Sequence, residues 1–133
     1  MAQLYSGIKN GYLSPCPKSP NCVSTQTDQN DKRMEPLPFI VNTKRTKEVV
    51  KSIIEKTKRV KMQDEAENYL HFTFTSRVLR FKDDVEFYMD DETNLLHFRS
   101  SSRVGYSDLG VNRKRMEEFS KRYAQKYESE ASS

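Results

Sequence analysis

From residue 39 onward the chain carries two hydrophobic rhythms in turn, and each predicts an element. Within 46–58, Val49, Val50, Ile53 and Ile54 recur at helical spacing, while Lys56 and Lys58 fall in the last turn, where cations suit the negative end of a helix dipole. The pattern predicts a helix over 46–58, capped by Thr43 or Thr46, after a short strand at 39–41. Period two follows. In NYLHFTFTSRVLRF, Leu70, Phe72 and Phe74 share one face and His71, Thr73 and Thr75 the other. A tight turn at Ser76 and Arg77 would pair Phe74 with Leu79 and Phe72 with Phe81, leaving Thr73 near Arg80. In VEFYMDDETNLLHFR, a hairpin around 91–94 sets Met89 opposite Leu96, Phe87 opposite Phe98 and Val85 opposite Ser100. The same register brings Tyr88 to His97 and Glu86 to Arg99, so both faces are chemically consistent. A second helix is predicted over 112–127, with Met116, Phe119, Tyr123 and Tyr127 on one side, and 129–133 is expected to be a disordered tail.

With RVKMQDE as the strand after the first helix, the order is β-α-β-β-β-β-α. An antiparallel sheet with one apolar face must cover that face, so both helices belong there and the opposite face stays polar. The predicted fold is an α+β two-layer sandwich of about five antiparallel strands, a single domain over 39–128, similar to helix-grip and TATA-binding-protein-like folds. The first 38 residues hold all five prolines and both cysteines, and they read as an irregular arm, extended or wrapped on the body, rather than a domain.

Composition narrows the function classes. No stretch approaches the roughly 18 consecutive apolar residues of a membrane span. MAQLYSGIKNGYLS lacks the basic head and apolar run of a signal peptide, so a cytoplasmic location is expected. The net charge of +4 permits an anionic partner, although 19 acidic residues dilute it. Lys44, Arg45, Lys47, Lys51, Lys56, Lys58 and Arg59 make the first helix basic, but aromatic residues interleave too sparsely for a stacking platform. Nucleic acid is therefore the least favoured partner.

SSSRVGYSDLGVNRKR, residues 100–115, holds two of the four glycines and four basic residues. One reading is an anion cradle at a helix N-terminus, with Gly105 and Gly110 permitting turns or close backbone approach, and Ser100, Ser101, Ser102, Ser107 and Arg103 as donors closed by Arg113 or Arg115. The other is a structural joint. There Asn112 or Asp108 caps the helix, and Arg103, Arg113 and Arg115 pair with Asp83, Asp84 and Glu86. The polar sheet face, with His71, Thr73, Arg80, Lys82, Glu86, Tyr88, His97 and Arg99, could extend such a site, though cross-strand pairing explains it more simply. His71, His97 and Glu86 lack a ligand-spaced motif, and no phosphate-loop spacing or nucleophile elbow occurs, so neither a metal nor another cofactor is expected.

PCPKSPNC places five residues between Cys16 and Cys22. A small disulfide, a redox pair and two free thiols are all open, and free thiols are the default in a reducing compartment.

SPCPKSPNCVSTQ, FTSRVLRFKDDVEF and SSRVGYSDLGVNRKR together resemble the family known as domain of unknown function 1499, found in bacteria and plant plastids, and they span the chain from Leu13 to about Phe119. The resemblance implies one conserved domain and marks motif positions including Asn21, Arg77, Arg80, Asp83, Asp84, Arg103 and Asp108, but brings no activity or cofactor. The expected function is a small binding module. It would hold a small anionic ligand or an acidic partner segment with Arg103, Ser101, Ser102, Gly105, Tyr106, Ser107, Gly110, Asn112 and Arg113, helped by Arg80, Arg99 and His97. The alternatives are an enzyme or a thiol-redox protein using the Cys pair, and a structural or nucleic-acid-binding protein.

Overall fold

A six-stranded antiparallel sheet carries two helices on one face in the computed structural model, which describes residues 6–105 and 108–131. The elements are β1 (Cys22–Ser24), β2 (Leu37–Pro38), α1 (Thr43–Glu55), β3 (Val60–Ala66), β4 (Tyr69–Thr75), β5 (Lys82–Asp90), β6 (Leu95–Ser102) and α2 (Val111–Ala131). Strand order is β1-β6-β5-β4-β3, with β2 also pairing β6. The fold is the expected α+β sandwich.

Alternation decides which face is packed. Leu70, Phe72, Val85, Phe87, Leu96 and Phe98 point to the helices, where Val49, Val50, Ile53 and Ile54 of α1 and Met116, Phe119 and Tyr123 of α2 close over them. Burying such side chains contributes roughly 1.5–3 kcal/mol each, so this one layer supplies most of the driving force. Phe87 and Phe119 meet with ring centroids 4.9 Å apart. Tyr123 sits fully buried, and its hydroxyl donates to Pro38 O at 2.7 Å. Burial pushes its pKa up to about 12. The β5–β6 register is the one the sequence predicts, including Met89 with Leu96, Tyr88 with His97 and Glu86 with Arg99.

Several boundaries differ from expectation, each for a local reason. Helix α1 begins at Thr43 because Asn42, rather than a threonine, caps it and accepts from Arg45 N at 2.8 Å. Thr46 instead turns inward and accepts from Ile40 N at 2.9 Å. Lys56 and Lys58 therefore lie past the helix end. The strand expected at 39–41 stops at Pro38, because Ile40 dives into the core and Val41 takes a left-handed φ of 65°. The turn expected at Ser76 is a longer loop, 76–81, closed by Ser76 N to Phe81 O and Phe81 N to Ser76 Oγ, each 2.8 Å. That length lets β4 pair Phe72 with Val85 and Phe74 with Asp83, so Leu79 and Phe81 stay exposed instead of facing β4. Helix α2 runs on to Ala131, tied back to α1 by Arg45 Nη2 and Glu130 Oε2 at 2.7 Å, so the tail expected from 129 is helical through 131.

The arm is less irregular than its composition suggests. Cys22–Ser24 pairs with Ser101, Ser100 and Arg99 and thereby covers an edge of β6 that would otherwise show unpaired backbone. Further back, Leu13 and Ile8 pack on Tyr69 and Tyr88, on the face away from the helices. The predicted wet face is consequently half roofed, with His71, Thr73, Glu86 and Arg99 buried. Among the described residues no helix is long and apolar enough to cross a membrane.

Candidate functional site

Alternation along β5 and β6 sends Asp84, Glu86, Arg99, Ser101 and Arg103 to the face away from the helices. Beneath the arm, Glu86 Oε2 lies 3.5 Å from Arg99 Nη1, with both side chains almost sealed from solvent. Glu86 also accepts the Tyr69 hydroxyl proton and Gly7 N, while Arg99 Nη2 donates to Pro15 O at 3.3 Å. Burial and the Glu86 charge push the Tyr69 hydroxyl far above its ordinary range. This buried pair therefore fixes the arm on the sheet.

Where the arm ends its cover, a second group forms. Asp84 Oδ1 is 2.8 Å from His71 Nε2 and 2.9 Å from Arg103 Nη2, and Asp84 Oδ2 accepts from Arg103 Nε at 2.9 Å. Arg103 Nη2 also reaches Thr73 Oγ1 at 3.3 Å. Burial alone would raise the Asp84 pKa, but the hydrogen bonds from His71 and Arg103 outweigh it and hold the carboxyl well below the usual range. Asp84 is thus a fixed anion rather than a proton donor. Beside this group opens a depression of about 490 Å³ lined by Ser6, Asp84, Glu86, Arg99, Ser101, Ser102 and Arg103.

The loop into α2 is organised by its own residues. Gly105 and Gly110 take φ of 87° and 83°, which only glycine adopts freely. Asp108 sits on the helix N-terminus: its Oδ1 accepts from Gly110 N at 2.8 Å and its Oδ2 from Asn112 N at 3.1 Å. The backbone donors that an external anion would use are held by this carboxylate. Burial opposes ionisation of Asp108, but the Asn112 amide and these backbone donors lower its pKa. Asn112, fully buried, is the hub. Its Nδ2 donates toward Asp108 Oδ2, Ser102 Oγ and Asn21 O, and its Oδ1 accepts from Ser100 Oγ and Arg115 Nη1. Arg115 continues to Asp83 at 2.7 Å and lies 4.7 Å over the Phe74 ring. Arg113 donates to Asp31 O at 2.9 Å.

The residues predicted for one site therefore separate. Arg99, Ser101, Ser102 and Arg103 share the depression. His97 lies elsewhere, bonded through Nδ1 to Thr25 Oγ1 at 2.8 Å and stacked on Tyr88, where burial lowers its pKa. Arg80 lines a different depression with Arg59, Lys61 and Lys82. Tyr106 and Ser107 lie outside the described residues. Gly105, Gly110, Asn112 and Arg113 belong to the joint between loop, helix and arm. No group of three His, Cys, Asp or Glu side chains among the described residues is arranged to hold a metal ion; His71 is bonded to Asp84 and His97 to Thr25.

Sequence reasoning marked Asn21 only as a motif position and missed its role: its Nδ2 donates to Gly105 O at 2.7 Å and its O accepts from Ser102 N. Cys16 and Cys22, expected by default as free thiols, form a disulfide. Their Cα atoms are 5.7 Å apart, within bonding reach, across a loop stiffened by Pro17 and Pro20. The basic character of α1 is also reduced: Lys47 and Lys51 both meet Glu65, and Arg45 meets Glu130.

Comparison with curated proteins and with solved structures gives no match. A family model described as "Protein of unknown function (DUF1499)" matches residues 12–122, which takes in the bonded cysteines, the Asp84–Arg103 pair and the Asn112 hub. The chain belongs to that family.

Proposed function

We propose that this domain is a binding module that holds a small anionic ligand, or an acidic side chain of a partner, in the depression beside Arg103. The geometry of Arg103 carries the reading. Its Nε and Nη2 are committed to Asp84 and Thr73, which locks the guanidinium plane and leaves Nη1 unengaged by described residues in a side chain that is 44% exposed. A preoriented donor loses little freedom when it binds. The same lining limits the ligand. Asp84 and Glu86 balance Arg99 and Arg103 in charge, so a multiply charged anion meets repulsion that a single carboxylate avoids. The buried disulfide sits in the arm and away from solvent, which weakens the thiol-redox alternative.

Thermal unfolding of wild type and Arg103→Ala against acetate, other monocarboxylates, phosphate and sulfate tests this. At a hundredfold excess over Kd, a ligand bound only by the folded state stabilises it by about 2.7 kcal/mol. Monocarboxylates should raise the wild-type Tm and leave the variant unmoved. Equal shifts in both proteins, or no shift with any anion, overturn the reading.

A further inference from the structure

Exposed large apolar side chains are unevenly distributed over the molecule. Of the nine among the described residues, Val78, Leu79, Phe81, Val104, Leu109 and Val111 gather at one end of the sheet, and only Tyr12, Val41 and Tyr127 lie elsewhere. The register defines that end. Thr75 pairs with Lys82, Asp83 with Ser102, and Arg103 N donates to Lys82 O at 3.0 Å, so the 76–81 loop and the loop leading to α2 leave the sheet side by side. Val78 and Leu79 are 81% and 67% exposed, and neither they nor Phe81 lines the adjacent depression. They form a protruding apolar tip rather than the wall of a groove.

That depression, about 390 Å³, is lined by Arg59, Lys61, Arg80 and Lys82 with Thr73 and Thr75, and by no carboxylate. None of its four cations forms an ion pair among the described residues, whereas Arg45, Lys47, Lys51, Arg99, Arg103 and Arg115 all do. Arg59 and Arg80 also both adopt a left-handed backbone, at φ of 61° and 58°. For a residue with a Cβ this conformation is unfavourable, a cost that glycine would avoid.

An apolar tip beside unneutralised cations matches the layering of an anionic bilayer surface, where acyl chains lie beneath phosphates. We propose that this end of the sheet docks on membranes rich in anionic phospholipid. Leu79, Val78 and Phe81 enter the headgroup boundary, and Arg59, Lys61, Arg80 and Lys82 contact phosphate oxygens. An acidic protein groove would match the charge, but the exposed Val78, Leu79 and Phe81 call for an apolar layer directly beside the anionic one, which is the order a bilayer surface supplies. The proposal is independent of the Arg103 site.

Co-sedimentation of the full chain with vesicles tests it, using phosphatidylcholine alone and phosphatidylcholine mixed with phosphatidylserine. The expected result is binding to the mixed vesicles only, falling as salt rises. Each cation near such a surface contributes roughly a fivefold gain in partitioning, so Arg80→Ala with Lys82→Ala should lose roughly thirtyfold. Leu79→Asp with Phe81→Asp should lose roughly tenfold for each site. These positions are exposed, so unchanged melting is expected and verifies folding, while Arg103→Ala should bind vesicles as wild type does. Absence of binding to mixed vesicles, or equal binding to neutral ones, overturns the proposal. So does full binding by the Leu79→Asp, Phe81→Asp variant with release by inorganic phosphate, which would mark a free-phosphate site. Tighter binding to a soluble acidic polypeptide than to mixed vesicles would assign the surface to a protein and also overturn it.

Discussion

Two groups of basic residues meet at the same end of the sheet, and they have opposite fates. Around the start of α2, Arg103 grips Asp84, Arg115 grips Asp83, and Arg113 reaches a carbonyl of the arm. Farther along the same sheet, Arg59, Lys61, Arg80 and Lys82 surround two threonines without a carboxylate. Both groups look alike as a string of letters. What separates them is alternation: Asp83 and Asp84 are consecutive, so one faces the helices and the other the arm, and each neutralises an arginine on its own side. The fold thus commits one group of charge to its own joints, leaving at most a single guanidinium edge beside Asp84, and leaves the other without counter-charge among the described residues.

The sharpest way to break this comparison is to remove the hub of the closed group. Asn112→Ala leaves the buried Ser100 hydroxyl without its acceptor and takes the amide donor from Ser102 Oγ and Asp108 Oδ2, and should cost about 3 kcal/mol in chemical denaturation. A loss below about 1 kcal/mol, on the order of a surface change, would mean the joint is not held as described. Asp84→Asn should cost about 1 kcal/mol at neutral pH, since its pair with Arg103 is partly solvated. The sign with pH follows from a folded-state pKa that is lowered. Wild type has the Asp84 contribution in full above the unfolded carboxyl value near 4, and loses it as pH falls from there toward the folded value. Asp84→Asn should therefore flatten stability against pH below about 4, and parallel curves for the two proteins would refute the assignment. Smallest of all, Arg80→Ala with Lys82→Ala should change stability by less than about 0.5 kcal/mol, because no ion pair is lost there.

The hairpin of β5 and β6 was readable in full, because a four-residue polar break between two alternating runs allows one register that satisfies both faces. The 76–81 loop was not. Leu79-Arg80-Phe81 alternates and VLRF is rich in strand-forming residues, and only the competition for β4, won by Lys82 to Tyr88, excludes it. The lining of the candidate site was legible in part: the sequence points to Arg103, Ser101 and Ser102, which do line one depression, and the pairing of Arg103 and Arg115 with the KDD aspartates is one of its two open readings. The role of Asn21 had no local signal, since its partners Gly105 and Asn112 lie 84 and 91 positions away.

That separation also sets an order of assembly. Strand β1 pairs with Arg99, Ser100 and Ser101 of β6, residues that are synthesised long after it, beginning with Cys22 against Ser101. A ribosome delivers the arm well before its dock exists, and closing so long a loop is entropically slow compared with forming the β5–β6 hairpin. The Cys16–Cys22 bond has a sequence separation of only 6, so closing its loop costs little chain entropy and needs no distant partner. The arm can therefore acquire its covalent shape as a nascent chain and wait, preformed, for the last strand to emerge.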